Sequence, residues 1–245
     1  SEVLNELEGM FAFAYYNKKS DKVFLCRDRF GIKPLYYYYE KEFFFSSEIK
    51  GISVFKNLVC NDLFLFDHTK GGIEAAKRHT PYKNIYTVDP GEVVSYDVKH
   101  RLISRKKILD IKKLICPSDI IENKKNGFKS YMEKFDYTLE KAVTKTMLSD
   151  APLCAFFSGG LDSSIISIIA KKQNEKLELF NSDIVDGNVS EYKYAEIIAK
   201  MQKLKLNRVK YSVEEFFLNL VDATYHLELP IVTHLNALPL MSLSK

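Results

Sequence analysis

The sequence predicts an α/β protein with an α+β first domain: a strand-rich N-terminal part, then the start of a doubly wound parallel sheet. Three observations predict it. From residue 153 to residue 227, strand-length apolar runs alternate with helix-length amphipathic segments, the pattern of a parallel sheet with right-handed crossovers. The first hundred residues instead carry short aromatic and β-branched runs separated by polar turns, as antiparallel strands do. The third is the apolar run 153–157, which breaks into Ser158-Gly159-Gly160-Leu161-Asp162-Ser163-Ser164 directly before an isoleucine-rich helix.

Taken in order, the first strands are expected at Phe11–Tyr16, Lys22–Cys26 and Leu35–Tyr39, the first two separated by the turn Asn17-Lys18-Lys19-Ser20-Asp21. Glu42–Phe45 is expected to pair with the tyrosine run as a hairpin, and Ser47–Ile52 to open a short helix. Residues 53–88 carry no clear period. Val93–Val98 reads as a strand after the Pro90-Gly91 turn. Residues 105–127 are dense in lysine and arginine, contain Pro117, Asn123, Asn126 and Gly127, and are expected to be the linker between domains 1–104 and 128–245. A helix over 128–148 follows, with Phe128, Tyr131, Met132, Phe135, Leu139, Val143, Thr146 and Met147 at spacings of three and four. Asp150-Ala151-Pro152 stops it. Then come strand 153–157, helix 163–172, strand 177–182, helix 191–204, strand 206–211 and helix 213–227. Ser190 is a candidate N-cap, and Ser212 with Glu215 spells a capping box. Ala195, Ile198 and Met201 are expected on one face of their helix.

The 245 residues suffice for one large domain or two ordinary ones. Hydrophobic residues at 46% and charged residues at 28% are ordinary for a globular protein. A net charge of +4 spread over both halves points to no nucleic-acid partner, and Arg105-Lys106-Lys107 with Lys112-Lys113 read as solvated linker. No apolar run reaches membrane-spanning length and no signal-peptide pattern is present, so no membrane is expected. The four cysteines lack any C-x-x-C spacing. Cys26 and Cys154 lie in apolar strand runs and are expected as buried free thiols in a reducing, cytoplasmic setting.

The segment 158–164 carries the chemistry. Glycines let backbone N–H groups approach an anion, and the unpaired donors of a helix start favour negative charge. The alternative is a plain tight turn with Asp162 or Ser163 capping the helix. Two glycines, a carboxylate and three hydroxyls at the C-terminal end of a strand, where open α/β sheets bind ligands, favour a nucleotide-phosphate site. It is neither a Walker A loop nor a Rossmann fingerprint, and it contains no lysine to reach a γ-phosphate. That suits a site that holds and releases pyrophosphate.

Here the chain resembles a family. SGGLDSS is similar to the pyrophosphate loop of ATP pyrophosphatases that adenylate a substrate, and residues 147–152 with SSIIS resemble glutamine-hydrolysing asparagine synthetase in particular. LEGMFAFAYY, RDRFGIKPLYY and SSEIK are similar to the second half of that family's glutaminase domain, an N-terminal-nucleophile fold. The likeness covers residues 4–52 and 128–245, with Asp89-Pro90-Gly91-Glu92 as an anchor between. It implies ATP and Mg²⁺ as cofactors and aspartate, glutamine and ATP as small-molecule substrates, with a homodimer compatible. It also implies ammonia released from glutamine and passed internally to an aspartyl-adenylate. Ser158, Gly159, Gly160, Ser163 and Ser164 would hold pyrophosphate, Asp162 would hold Mg²⁺, and Phe157 and Ser182 would line the adenosine pocket. Asp183 and Asp186 lie in the next loop, within possible reach of ATP or Mg²⁺ but more commonly turn formers. Arg27, Asp28, Arg29 and Gly31 match the family's RDxxG and read as a structural ion pair, a caution that extends to Glu48 and Lys50. The family's nucleophilic N-terminal cysteine, its glutamine-binding segments and its second signature have no counterpart, so the chain is read as an internal fragment with no catalytic residue retained. Alternatives are an amidotransferase acting on another carboxylate, an inactive nucleotide-binding paralogue and a tRNA-modifying pyrophosphatase.

Overall fold

In the computed structural model, which describes residues 2–70, 78–186, 190, 192–230 and 237–243, the chain divides into two units. The first comprises Ser1–Cys116 with Glu228–Thr233, the second Pro117–Leu227 with His234–Lys245.

The first unit is built from α1 (Glu2–Glu6), β1 (Ala12–Asn17), β2 (Lys22–Arg27), β3 (Tyr36–Tyr39), β4 (Phe43–Ser46), α2 (Ile49–Ser53), α3 (Asp62–Thr69), β5 (Ile85–Thr87), β6 (Glu92–Asp97) and β7 (Leu102–Lys107). Two antiparallel sheets result, β1-β2-β6-β7 and β4-β3-β5. The expected hairpin forms, with Tyr36 opposite Ser46 and Tyr39 opposite Phe43. Alternation decides which faces are buried: in β6 every second residue is buried, as a sheet with one covered face requires. Leu25, Leu35, Tyr37, Val88 and Val94 form one core, and Tyr38, Ile49, Ile52 and Ile85 a second.

Four elements of this unit depart from expectation. The helix α3 lies in the stretch without a period, because Leu63-Phe64-Leu65-Phe66 is a continuous apolar run rather than a helical stripe. What starts it is a cap, Asn61 Oδ1 accepting the Phe64 N–H at 3.3 Å. The tripeptide β5 lies there too, and α1 is a further element outside the expected ones. Arg105-Lys106-Lys107 is not linker but the end of β7, which pairs with β6 from Glu92↔Lys107 to Asp97↔Leu102. As the outer strand of its sheet it carries its basic side chains outward, and charge on an open edge blocks further strand pairing.

The second unit opens with α4 (Pro117–Thr146), whose path breaks at Gly127 with φ 77° and ψ 171°. Residues 105–127, expected to be linker, thus hold the end of β7, a 3-10 turn at Ile111–Leu114 and the first part of α4. Of the predicted helical stripe, only its C-terminal half is covered: Val143 is buried with Leu139 and Met147 against it, whereas Phe128, Tyr131 and Phe135 are exposed. Next come β8 (Cys154–Phe156), α5 (Leu161–Gln173), β9 (Glu178–Ile184), α6 (Tyr192–Met201), β10 (Lys205–Tyr211), α7 (Val213–Leu227) and α8 (Ala237–Leu243). The sheet is parallel in the order β10-β9-β8, as the alternation predicted. Ala195 and Ile198 take the core side of α6 as expected, with Ala199 buried beside them, while Met201 is 73% exposed. Cys154 is exposed, contrary to expectation, because β8 is the outer strand of its sheet. Cys26 is buried, and burial pushes its thiol up to about 11. The capping box of α7 closes as spelled, Ser212 N–H to Glu215 Oε2 at 2.7 Å and Glu215 N–H to Ser212 Oγ at 3.0 Å.

Candidate functional site

The strand-to-helix turn 158–164 sits at the C-terminal end of β8. Its geometry begins with Phe157, whose N–H donates to Phe180 O at 2.8 Å and whose carbonyl accepts from Asn181 Nδ2 at 2.8 Å. Gly159 follows with φ 80°, and a Cβ there would stand 2.6 Å from both Cα and N of Ala195 in α6. Only glycine meets both demands, a left-handed backbone and contact with another backbone. Gly160 is the N-cap of α5, without a side-chain cap, so neither Asp162 nor Ser163 caps. The hydroxyls lock the turn instead. Ser158 Oγ lies 3.0 Å from Ser163 Oγ and accepts from Gly160 N–H at 3.3 Å, and Ser163 and Ser164 donate to Gly160 O at 3.1 and 2.7 Å.

This wiring leaves donors facing outward. In a helix beginning at Leu161, the N–H groups of Leu161, Asp162 and Ser163 have no carbonyl one turn behind them. The first helical bond is Ser164 N–H to Gly160 O at 3.0 Å. Ser158, Gly160 and Asp162 are exposed. An anion placed there meets the N–H groups of the helix start and the positive end of the helix dipole. Next to the turn is a cleft of about 650 Å³ lined by Phe156, Phe157, Ser158, Ser182, Tyr211 and Leu240, among others, a size that accommodates a nucleoside. Every residue expected to hold phosphate or adenosine is therefore either on this turn or on this cleft.

Of the two acidic candidates, Asp183 also lines this cleft, and Asp186 is not among its lining residues. Asp183 is 3% exposed and engaged: Ser190 Oγ donates to its Oδ1 at 2.6 Å, Arg208 Nε to its Oδ2 at 2.8 Å, and a second Arg208 nitrogen closes the fork. Burial pushes this carboxyl up, but those donors and the positive charge outweigh it and hold it below the usual range. The Arg208 guanidinium stacks over the Tyr192 ring at 4.3 Å. Asp183 thus ties β9 to β10 and is not free for a metal ion, and Ser190, the candidate N-cap, gives its hydroxyl to it. Asp186 lies in an exposed turn after β9. The sequence reading missed Asn181, Arg208 and Tyr211. Polar residues at every second position of an otherwise apolar strand, Leu179-Asn181-Asp183 on the buried face, were the available signal.

In the first unit the RDRFGIKP loop shows the opposite wiring. Asp28 is 1% exposed, and its carboxylate accepts the N–H groups of Phe30, Ile32 and Lys33 at 3.0–3.1 Å. Arg27 donates to Lys33 O, Thr87 Oγ1, Val88 O and Gly31 O at 2.6–2.9 Å. Instead of pairing with each other, as expected, each side chain satisfies the loop's backbone. In the same unit Glu228 accepts the N–H groups of Ile49 and Lys50 at 2.6 and 2.7 Å, capping α2 where Glu48 makes no side-chain cap. Lys50 Nζ lies 3.3 Å from Glu48.

A parallel sheet with an anion-ready turn and a cleft at its strand ends places the second unit in the class of α/β ligand-binding domains. Comparison with known proteins is more specific. The family profile described as asparagine synthase matches residues 134–245, and that described as glutamine amidotransferase domain matches residues 1–106. Asparagine synthetase [glutamine-hydrolyzing] 2 of Bacillus subtilis is 30% identical over 86% of this chain and 29% of its own length. Asparagine synthetase B of Escherichia coli is 28% identical over 96% of this chain and 39% of its own length. The chain belongs to the glutamine-hydrolysing asparagine synthetase family. It spans well under half the length of the curated relatives it matches.

Proposed function

We propose that the protein of which this chain forms part makes asparagine: ATP-dependent amidation of aspartate through an aspartyl-adenylate, with ammonia from glutamine. The observation that carries this reading is the turn 158–164, which presents the N–H groups of a helix start beside a nucleoside-sized cleft. In the reaction, a carboxylate oxygen of aspartate attacks the α-phosphorus of ATP and the bond to the bridging oxygen breaks, releasing pyrophosphate. Ammonia then attacks the acyl carbon, loses a proton, and AMP departs. The residues derived above act on the first step. Ser158, Gly159, Gly160, Ser163 and Ser164 form the turn that meets the negative charge developing on pyrophosphate, the hydroxyls holding its shape and the N–H groups of the helix start facing the ligand, and donors fixed in advance need no reorganisation at that moment. Phe157 and Ser182 bound the adenosine side of the cleft.

Mg²⁺ fits this donor set. Among the described residues no cluster of three or more acidic, histidine or cysteine side chains is placed to hold a metal, yet Mg²⁺ bound with a nucleotide takes most of its oxygens from phosphate and water and needs one or two carboxylates. Asp162, exposed on the first turn of α5, would supply one, and the ion would neutralise phosphate charge.

The first unit corresponds in this reading to the glutaminase-type domain (1–104) and the second to the synthetase domain (128–245), of N-terminal-nucleophile and ATP-pyrophosphatase type respectively. The matched family profiles support that division. The N-terminal-nucleophile side has no catalytic residue assigned in this chain. Among the described residues no helix is long and apolar enough to cross a membrane, and the reading places the enzyme in the cytoplasm, as a homodimer acting on small molecules. The test is the full-length protein supplied with ¹⁸O-carboxylate aspartate, glutamine and Mg-ATP. Adenylation transfers one ¹⁸O to AMP with asparagine formed in equal amount. Label in AMP with a different carboxylate alone would instead identify an amidotransferase with another acceptor.

A further inference from the structure

We infer that Asn181 sets the path of the 158–164 turn and is a positioning residue for polyphosphate, a role that rests on the nucleotide reading above. The ladder between β8 and β9 runs from Cys154↔Glu178 to Phe156↔Phe180 and stops there. The next residue, Phe157, is the last before the turn. Its N–H still reaches Phe180 O, but its carbonyl is taken by a side chain, Asn181 Nδ2 at 2.8 Å. The amide thus extends strand pairing by one residue beyond the ladder, at the point where the chain leaves the sheet.

Two further observations give that bond its purpose. Asn181 is 4% exposed, and its Oδ1, out of contact with solvent, has no partner among the described residues. A buried acceptor without a partner is costly, and the Phe157 carbonyl would bear the same cost without the amide. The amide is explained by what its nitrogen holds. Gly159, two residues on, lies against the backbone of Ala195 with no room for a methyl group. The turn is therefore fixed at two points, the Phe157 carbonyl on β9 and Gly159 on α6, and release of the first lets Ser158 and Gly160 move relative to the start of α5. Asn181, Phe157 and Ser158 also line the same cleft.

The experiment is calorimetric titration of the chain and its Asn181→Leu variant with Mg-ATP, magnesium pyrophosphate and adenosine, together with thermal melting. In the variant the unpaired Oδ1 is gone and the Phe157 carbonyl loses its donor, so one unpaired acceptor replaces another. The melting temperature is expected to stay within about 4 °C. Affinity for Mg-ATP and for pyrophosphate is expected to fall about tenfold, the size of one well-placed hydrogen bond lost, while adenosine binds within about twofold of wild type. A merely structural residue would lower the melting temperature and weaken all three ligands alike, and that result overturns the inference, as does unchanged Mg-ATP affinity. Should Asn181→Leu fail to fold, Asn181→Ser, too short to reach the carbonyl, is read by the same criteria. A wild-type chain that binds neither Mg-ATP nor pyrophosphate overturns the nucleotide reading and this role together. Wild-type binding with an unaffected variant overturns the role alone.

Discussion

The loops after β2 and after β8 are made of similar parts and wired in opposite senses. Each leaves the end of a strand, and each contains an aspartate and a glycine at positive φ, Gly31 at 66° and Gly159 at 80°. After β2 the carboxylate of Asp28 points inward and takes three backbone N–H groups, while Arg27 takes three carbonyls and a hydroxyl. The N–H groups of Phe30, Ile32 and Lys33 are thereby spent within the loop. After β8 the carboxylate of Asp162 is exposed, the hydroxyls satisfy the turn's own Gly160 carbonyl, and the N–H groups of the helix start face out. A loop's capacity to bind an anion thus depends on whether its own side chains have already consumed its donors.

The largest effect that would sharpen this contrast comes from the glycines. Gly159→Ala combines a left-handed backbone with a methyl group against Ala195, and is expected to cost about 3 kcal/mol and to abolish Mg-ATP binding. Gly31→Ala, where the methyl would meet Pro90 Cγ at 2.8 Å, should destabilise without changing Mg-ATP affinity. Melting curves and titration of both variants check the pair.

Asp28→Asn is next, at about 2 kcal/mol of stability, because a buried carboxylate with three N–H donors is replaced by a weaker acceptor. Mg-ATP binding should be unaffected. Its pH dependence is specific. Burial alone pushes the Asp28 carboxyl up, but the N–H groups of Lys33, Ile32 and Phe30 outweigh it, and the net value lies below that of a free aspartate. Its contribution to stability is therefore complete above the unfolded aspartate value near about 4 and is lost as pH falls from there through the lower folded value. Urea unfolding between pH 5 and pH 2, a range of about three units around that value, should show wild type losing its advantage over Asp28→Asn. A constant gap would contradict the wiring.

Asp162→Asn should act in the reverse manner, with Mg-ATP affinity down about tenfold and the melting temperature within about 2 °C. Equal losses in both would erase the distinction between the loops. The smallest effect belongs to a site outside the comparison: Ser212→Ala opens the capping box of α7 and should cost about 1 kcal/mol, with no change in ligand binding. It calibrates how much loss of stability alone perturbs the titrations.

Much of this was legible in the chain. The alternation from residue 153 gave the parallel sheet, and α7 falls on residues 213–227 as read, because its capping box is a local signal that does not depend on tertiary packing. The turn residues were found because glycines and hydroxyls crowd into seven positions. What was not legible depended on partners distant in sequence. The exposure of Cys154 on an outer strand and the burial of Ala199 rather than Met201 in α6 are set by neighbours that no local period encodes. The same holds for Asp183, whose engagement by Arg208 requires two strands to be side by side. The lysines and arginines of β7 are not legible as strand because the charges that guard an open sheet edge look, in sequence, like solvated linker.

The most direct test follows the backbone amides of ¹⁵N-labelled protein while magnesium pyrophosphate is added. The amides of Gly159, Gly160, Leu161, Asp162 and Ser163 should shift most, in a saturable manner, with those of Phe30, Ile32 and Lys33 stationary. Saturable shifts centred on residues 30–33, or none at residues 159–163, would contradict the assignment of anion binding to the second loop.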